Sequence, residues 1–100
     1  MELDFTKVTG FEWDAGNSRK NLTKHNVTIR EAEEVFADPH LQVLDDPAHS
    51  ALEPWWKAFG RTSLRWLTVS FTVRGALLRV ISARPMNRKE RTIYEKKKTT

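Results

Sequence analysis

The stretch WLTVSFTVRGALLRVISAR, residues 66–84, decides the fold. Apolar residues alternate with polar ones through Trp66–Val73, and again, less strictly, through Ala76–Arg84. That period of two is the mark of strands with one buried face. Arg74-Gly75 between them supplies a tight turn, so the two runs read as an antiparallel hairpin. Pairing Val73 with Ala76 sets Phe71 opposite Leu78, Val69 opposite Val80 and Leu67 opposite Ser82, which makes a core face. The other face then pairs Thr72 with Leu77, Ser70 with Arg79 and Thr68 with Ile81. Arg79 stands on it as a lone guanidinium between hydroxyls.

Outward from the hairpin, Trp55–Gly60 and Leu41–Leu44 read as further strands, the latter closed by Asp45-Asp46-Pro47 and followed by a loop through Pro54. Phe11-Glu12-Trp13 reads as a short edge strand. Asp14 is placed to cap a helix over Ala15–His25, with Ala15 and Leu22 as its main apolar positions, and Asn26 suits the left-handed end of that helix. Thr28 and Glu31 have capping-box spacing, and Ile29, Ala32, Val35 and Phe36 behind them share one face, so a second helix runs near 29–37 until Asp38-Pro39 stops it. Asn87 and Glu90 repeat the pattern and start a third helix over about 88–97, with only Ile93 and Tyr94 available to dock it. The expectation is an α+β fold: an antiparallel sheet of four to five strands, two N-terminal helices and one C-terminal helix. Residues 1–100 form one domain that ends in a basic helix and tail at 87–100.

One hundred residues, 39% hydrophobic and 30% charged, fit one globular domain with a modest core. Cysteine is absent, which excludes a disulfide scaffold, a thiolate metal site and a cysteine nucleophile. His25, His40 and His49 are far apart, and no metal or cofactor is expected. No apolar run approaches the roughly 18–20 residues of a membrane span, so a cytoplasmic chain without a membrane partner is expected.

The formal charge of +4 is unevenly spread. Residues 31–54 hold seven carboxylates and no Lys or Arg, whereas 79–98 hold eight basic side chains against Glu90 and Glu95. The basic run suits phosphates; the acidic run would repel them or meet a basic partner. Both runs are equally well read as solvated faces.

Gly-rich phosphate loops, nucleophile elbows, HExxH and carboxylate clusters with metal-ligand spacing are all missing. Arg, Lys, His and hydroxyl side chains remain, with Trp and Tyr nearby. That inventory suits metal-free phosphodiester cleavage, in which a ribose 2′-hydroxyl attacks while the protein moves protons and neutralises the phosphate. It suits plain RNA binding equally well. Each candidate also has a structural reading. Lys24 and His25 are favourable cations at a helix end, and Arg79 has Glu12 and Asp14 as potential partners. Arg84 has an acidic residue of the sheet in reach, His49 reads as a solvated loop histidine, and Tyr94 reads as an anchor for the last helix. The four tryptophans read as core, with one left over for stacking.

Phe11-Glu12-Trp13-Asp14, Asn21-Leu22 and Lys24-His25-Asn26-Val27 resemble the N-terminal signature of the BrnT family of toxins. The resemblance continues through Glu31-Ala32, Val35 to Pro39, Asp46, His49-Ser50, Trp56, Gly60-Arg61, Arg79 to Arg84, Glu90 and Tyr94. The chain departs from the family at Ala15, commonly Pro, at Asn26, commonly Gly, and at Pro85, more usually a basic residue. The resemblance implies a small ribonuclease toxin of a type II toxin–antitoxin pair that arrests translation, with a fold like the RelE-type toxins. It also implies a BrnA-type antitoxin that neutralises the toxin and carries the operator-binding domain, and it leaves open a homodimer within the toxin–antitoxin assembly. On this reading Arg79, Arg84 and Arg61 are the phosphate or transition-state cations, and Lys24 and His25 transfer protons or position RNA. Arg88, Lys89, Lys96, Lys97 and Lys98 bind the RNA backbone. The rival readings are an RNA-binding module that cuts nothing and a degenerate toxin that only binds its antitoxin.

Overall fold

The computed structural model describes residues 3–98, with the side chains of 19–23, 97 and 98 outside the description; the expected Asn21, Leu22, Lys97 and Lys98 side chains therefore lie outside the described residues. The elements follow in the order β1 (Gly10–Glu12), α1 (Ala15–His25), α2 (Ile29–Val35), β2 (Gln42–Asp45), β3 (Trp56–Arg61), β4 (Trp66–Arg74), β5 (Leu77–Pro85) and α3 (Arg88–Lys98). Single 3-10 turns lie at Phe5–Lys7, ahead of β1, and at Pro47–His49, between β2 and β3. One sheet of order β1-β5-β4-β3-β2 results. The α+β expectation holds, but the sheet is mixed rather than antiparallel, because β1 pairs parallel to β5. No hairpin constrains this edge strand. Its direction follows instead from α1, whose Asn17 amide donates to Glu12 O (3.1 Å) and Val80 O (2.8 Å), so the helix begins where β1 stops.

The hairpin forms with a different register. Gly75 has φ +62° and takes the first of two central turn positions, with Ala76 second, so Arg74 pairs with Leu77 and Val73 with Leu78. A glycine with positive φ followed by an ordinary residue is the type II′ pattern, and it moves the turn one residue beyond the expected Arg74-Gly75. A bulge between Ser70 and Phe71 then leaves Ile81 as the extra residue on β5: Phe71 pairs with Val80, but Ser70 with Ser82 and Thr68 with Arg84. This bulge has a consequence for the charges. Arg79 and Arg84 are five positions apart, and strict alternation would put them on opposite faces. The extra residue turns Arg84 to the face of Arg79, where the two stand opposite Thr68 and Thr72, about 13 Å apart along β4.

The first face of the sheet is the core. Ala58, Leu67, Val69, Phe71, Leu78, Val80 and Ala83 pack there against Val27, Ala32 and Val35. Gly60 lets α2 settle onto β3, since a Cβ there would lie 2.7 Å from Val35 Cγ1 and 2.8 Å from its carbonyl oxygen. The opposite face receives α3, through Phe59, Met86 and Tyr94 with Trp66 and Ile93 around them. Ile93 and Tyr94 are thus joined by more anchors than expected. Glu90 is buried beneath the helix, and the Asn87–Glu90 box closes reciprocally at 2.9 Å in both directions.

Candidate functional site

Arg79 sits mid-strand at the edge of the second face. Asp14 caps α1 by accepting from the amides of Gly16 (2.9 Å) and Asn17 (3.2 Å), while Asn17 Oδ1 accepts from the Asp14 amide (2.8 Å). The same carboxylate receives Arg79 Nη1 at 2.9 Å and Nη2 at 3.2 Å, and Nη1 also donates to Glu12 Oε1 at 3.1 Å. The hydrogen bond from Arg79, then the Asn17 amide, holds the Asp14 carboxyl below its usual range. The Asp14 partnership in turn raises the guanidinium. The arginine side chain is 17% exposed, but Asp14 is 56% and Glu12 36% exposed. Arg79 faces a groove shared with Trp55, Ile81 and the Arg74–Glu53 ion pair, whose closest contact is 3.0 Å.

Arg84 is held differently. Its Nη1 and Nη2 donate to Glu90 Oε1 and Oε2 at 2.7 and 2.8 Å. Glu90 also accepts from Thr68 Oγ1 at 3.0 Å and the Asn87 amide at 2.9 Å, and its side chain is only 9% exposed. Burial raises the Glu90 carboxyl, but Arg84, the Asn87 amide and Thr68 outweigh it and the net direction is down. Tyr94 adds a second tie, donating to Asp38, which also accepts from the His40 and Arg61 amides. Burial first and Asp38 second push the Tyr94 hydroxyl upward.

A third arginine was not anticipated. Arg65 donates through Nε and Nη2 to both oxygens of buried Glu31, each at 2.9 Å, and reaches the carbonyls of His25 and Asn26. Thr28 caps α2 as expected, accepting from the Glu31 amide at 3.1 Å, but the Glu31 carboxylate turns to Arg65 and Thr62. A glutamate at that helical position beside a buried face was the available signal. Much of the acidic run is spent in the same way: Glu33 binds Trp13 Nε1, Glu34 the Ser63 amide, Asp46 His49 and Glu53 Arg74. These carboxylates tie elements together, so the run is not one free acidic surface.

The expected cations therefore fall into separate places. Lys24 and His25 stand at the far end of α1, about 15 Å along the helix from its first residue beside Arg79. Arg61 ends β3 and is exposed, as are Arg88, Lys89 and Lys96 of α3. Arg91 lies over the Trp66 ring at 5.2 Å. Among the described residues no three His, Asp or Glu side chains are grouped to hold a metal ion, and no helix is long and apolar enough to cross a membrane.

Residues 13–90 match the family described as the ribonuclease toxin, BrnT, of type II toxin–antitoxin systems. No curated protein matches the chain. The matched span begins at Trp13 and ends at Glu90, so it takes in both Arg79 and Arg84 and most of the fold around them. The chain belongs to the BrnT family of ribonuclease toxins of type II toxin–antitoxin systems.

Proposed function

We propose that this toxin cuts RNA without a metal, using the ribose 2′-hydroxyl as nucleophile, and that the cutting arrests translation until the cognate antitoxin covers the site. The observation that carries the reading is Arg79, a guanidinium oriented by carboxylates that are themselves open to solvent. Such a group is preorganised for a planar, two-pronged hold on a phosphate, and the Asp14 carboxylate in front of it is replaceable by the phosphate. Arg61, Arg88, Lys89 and Lys96 to Lys98 hold the RNA backbone, Arg84 stays paired with Glu90 and braces the same face, and Lys24 and His25, about 15 Å along α1 from the Arg79 end, position the strand. Attack of the 2′-oxygen on phosphorus expels the 5′-oxygen of the next nucleotide, which leaves a 2′,3′-cyclic phosphate and a 5′-hydroxyl.

The test is incubation of the purified toxin with RNA in EDTA, followed by analysis of the ends. Cyclic-phosphate and 5′-hydroxyl ends that disappear on adding antitoxin are expected; cleavage that needs a divalent metal or leaves 5′-phosphates overturns the mechanism. A second reading has its own observation, the three hydrogen bonds from Arg79 to Glu12 and Asp14. There Arg79 only ties β1, α1 and β5 together.

A further inference from the structure

Trp55 and Trp56 are adjacent in sequence and opposite in use. Trp56 is buried in the main core, 5% exposed and stacked on Phe71. Trp55 belongs to neither apolar cluster and is only half-buried. Trp55 is among the residues that line the groove holding Arg79 and Arg74. It is also braced: His49 stacks on it with centroids 5.3 Å apart and ring planes 16° from parallel. Buried Asp46 fixes that imidazole through a 2.9 Å contact to Nδ1. The Trp55 backbone is tied as well, since its amide donates to Ser50 Oγ at 2.9 Å and its carbonyl accepts from the Asp46 amide at 3.0 Å.

A large aromatic kept out of the core, braced on one face and set beside a guanidinium has the form of a stacking wall for a planar ligand. We propose that Trp55 is the platform for the nucleobase next to the phosphate held by Arg79, with His49 and Asp46 as its positioning residues. The inference rests on the proposed function above. Glu53 in the same groove does not oppose it, because Arg74 grips both its oxygens. Stacking of this kind tolerates any base, so the platform sets where the strand lies more than which base is chosen.

The experiment uses the full chain and oligoribonucleotides in which a single abasic residue is walked across the cleaved bond. At one position beside that bond, the abasic substitution slows wild-type cleavage about 10- to 100-fold, the usual worth of one stacked base. Trp55→Ala loses as much on intact RNA and shows no further loss at that position, while Trp55→Phe keeps most of the rate. Trp55→Leu replaces the alanine variant if the latter fails to fold. A Trp55→Ala or Trp55→Leu protein that cuts at the wild-type rate, or keeps the abasic penalty, overturns the inference and leaves the proposed function standing. A wild-type protein that cuts no RNA overturns the proposed function; anisotropy with the same oligomers then decides the platform alone, and an affinity blind to the abasic position overturns it.

Discussion

Arg79 and Arg84 share a strand and a face, and each grips a carboxylate with both terminal nitrogens. They differ in where that carboxylate sits. Glu90 is buried beneath α3 and bonded on every side, so the Arg84 pair is a clamp that fastens the helix to the sheet. Asp14 and Glu12 lie open to water, so the Arg79 pair adds little stability and its acceptors can be exchanged. Identical chemistry therefore gives a buried joint in one place and a solvent-open ion pair in the other. Burial of the acceptor, not the arginine, makes the difference.

The largest stability effect should follow from breaking the clamp. Glu90→Ala leaves Arg84 and Thr68 facing an empty site and should cost about 3 kcal/mol in denaturant unfolding, the low end for removing one partner of a buried pair because Arg84 is partly solvated. A loss under about 1 kcal/mol would put the two arginines in the same class. Acid should find the same joint. Glu90 and Glu31 both titrate below their ordinary 4.5 when folded. Their contribution is therefore complete above that pH and is lost as pH falls through the lower folded values. Urea midpoints should stay flat from neutrality to about pH 5 and then drop, and Glu90→Gln should flatten part of the drop.

Smaller effects are expected on the Arg79 side. Asp14→Ala removes the α1 cap and should cost about 1 kcal/mol, which is about 4–8 °C in Tm for a chain of this size. The smallest stability effect belongs to the exposed cations of α3. Arg88→Gln with Lys89→Gln should leave Tm in place while reducing the log–log salt slope of RNA binding by about 0.7 per lost contact. An unchanged slope would remove the first turn of α3 from the RNA path.

Element order, the Asp14, Thr28 and Asn87 caps and the non-core placement of Arg79 were legible because they follow from spacing alone. The left-handed Asn26, with φ 56°, was legible for the same reason. The register was not, because a two-residue turn can slide by one position and a bulge leaves no trace in alternation. That miss hid the fact that Arg84 shares the face of Arg79. The direction of β1 was hidden because its partner lies 67 residues away, with no turn to set it. Glu90 and Arg65 were missed as anchors for a different reason: a charged residue read from sequence looks solvated, and only tertiary packing shows that its partner is in reach. The candidate site was legible as a list of cations but not as a place.

The most direct measurement takes Tm and single-turnover RNA cleavage from one preparation of Arg79→Lys. Lysine keeps the charge and enough of the exposed ion pairing for Tm to move by only a few degrees, but it lacks the planar fork. Cleavage should fall about 10²–10³-fold, the usual result of losing one preorganised donor. A protein that melts well below wild type yet cuts at the full rate would make Arg79 a joint like Arg84, and would contradict the distinction between them.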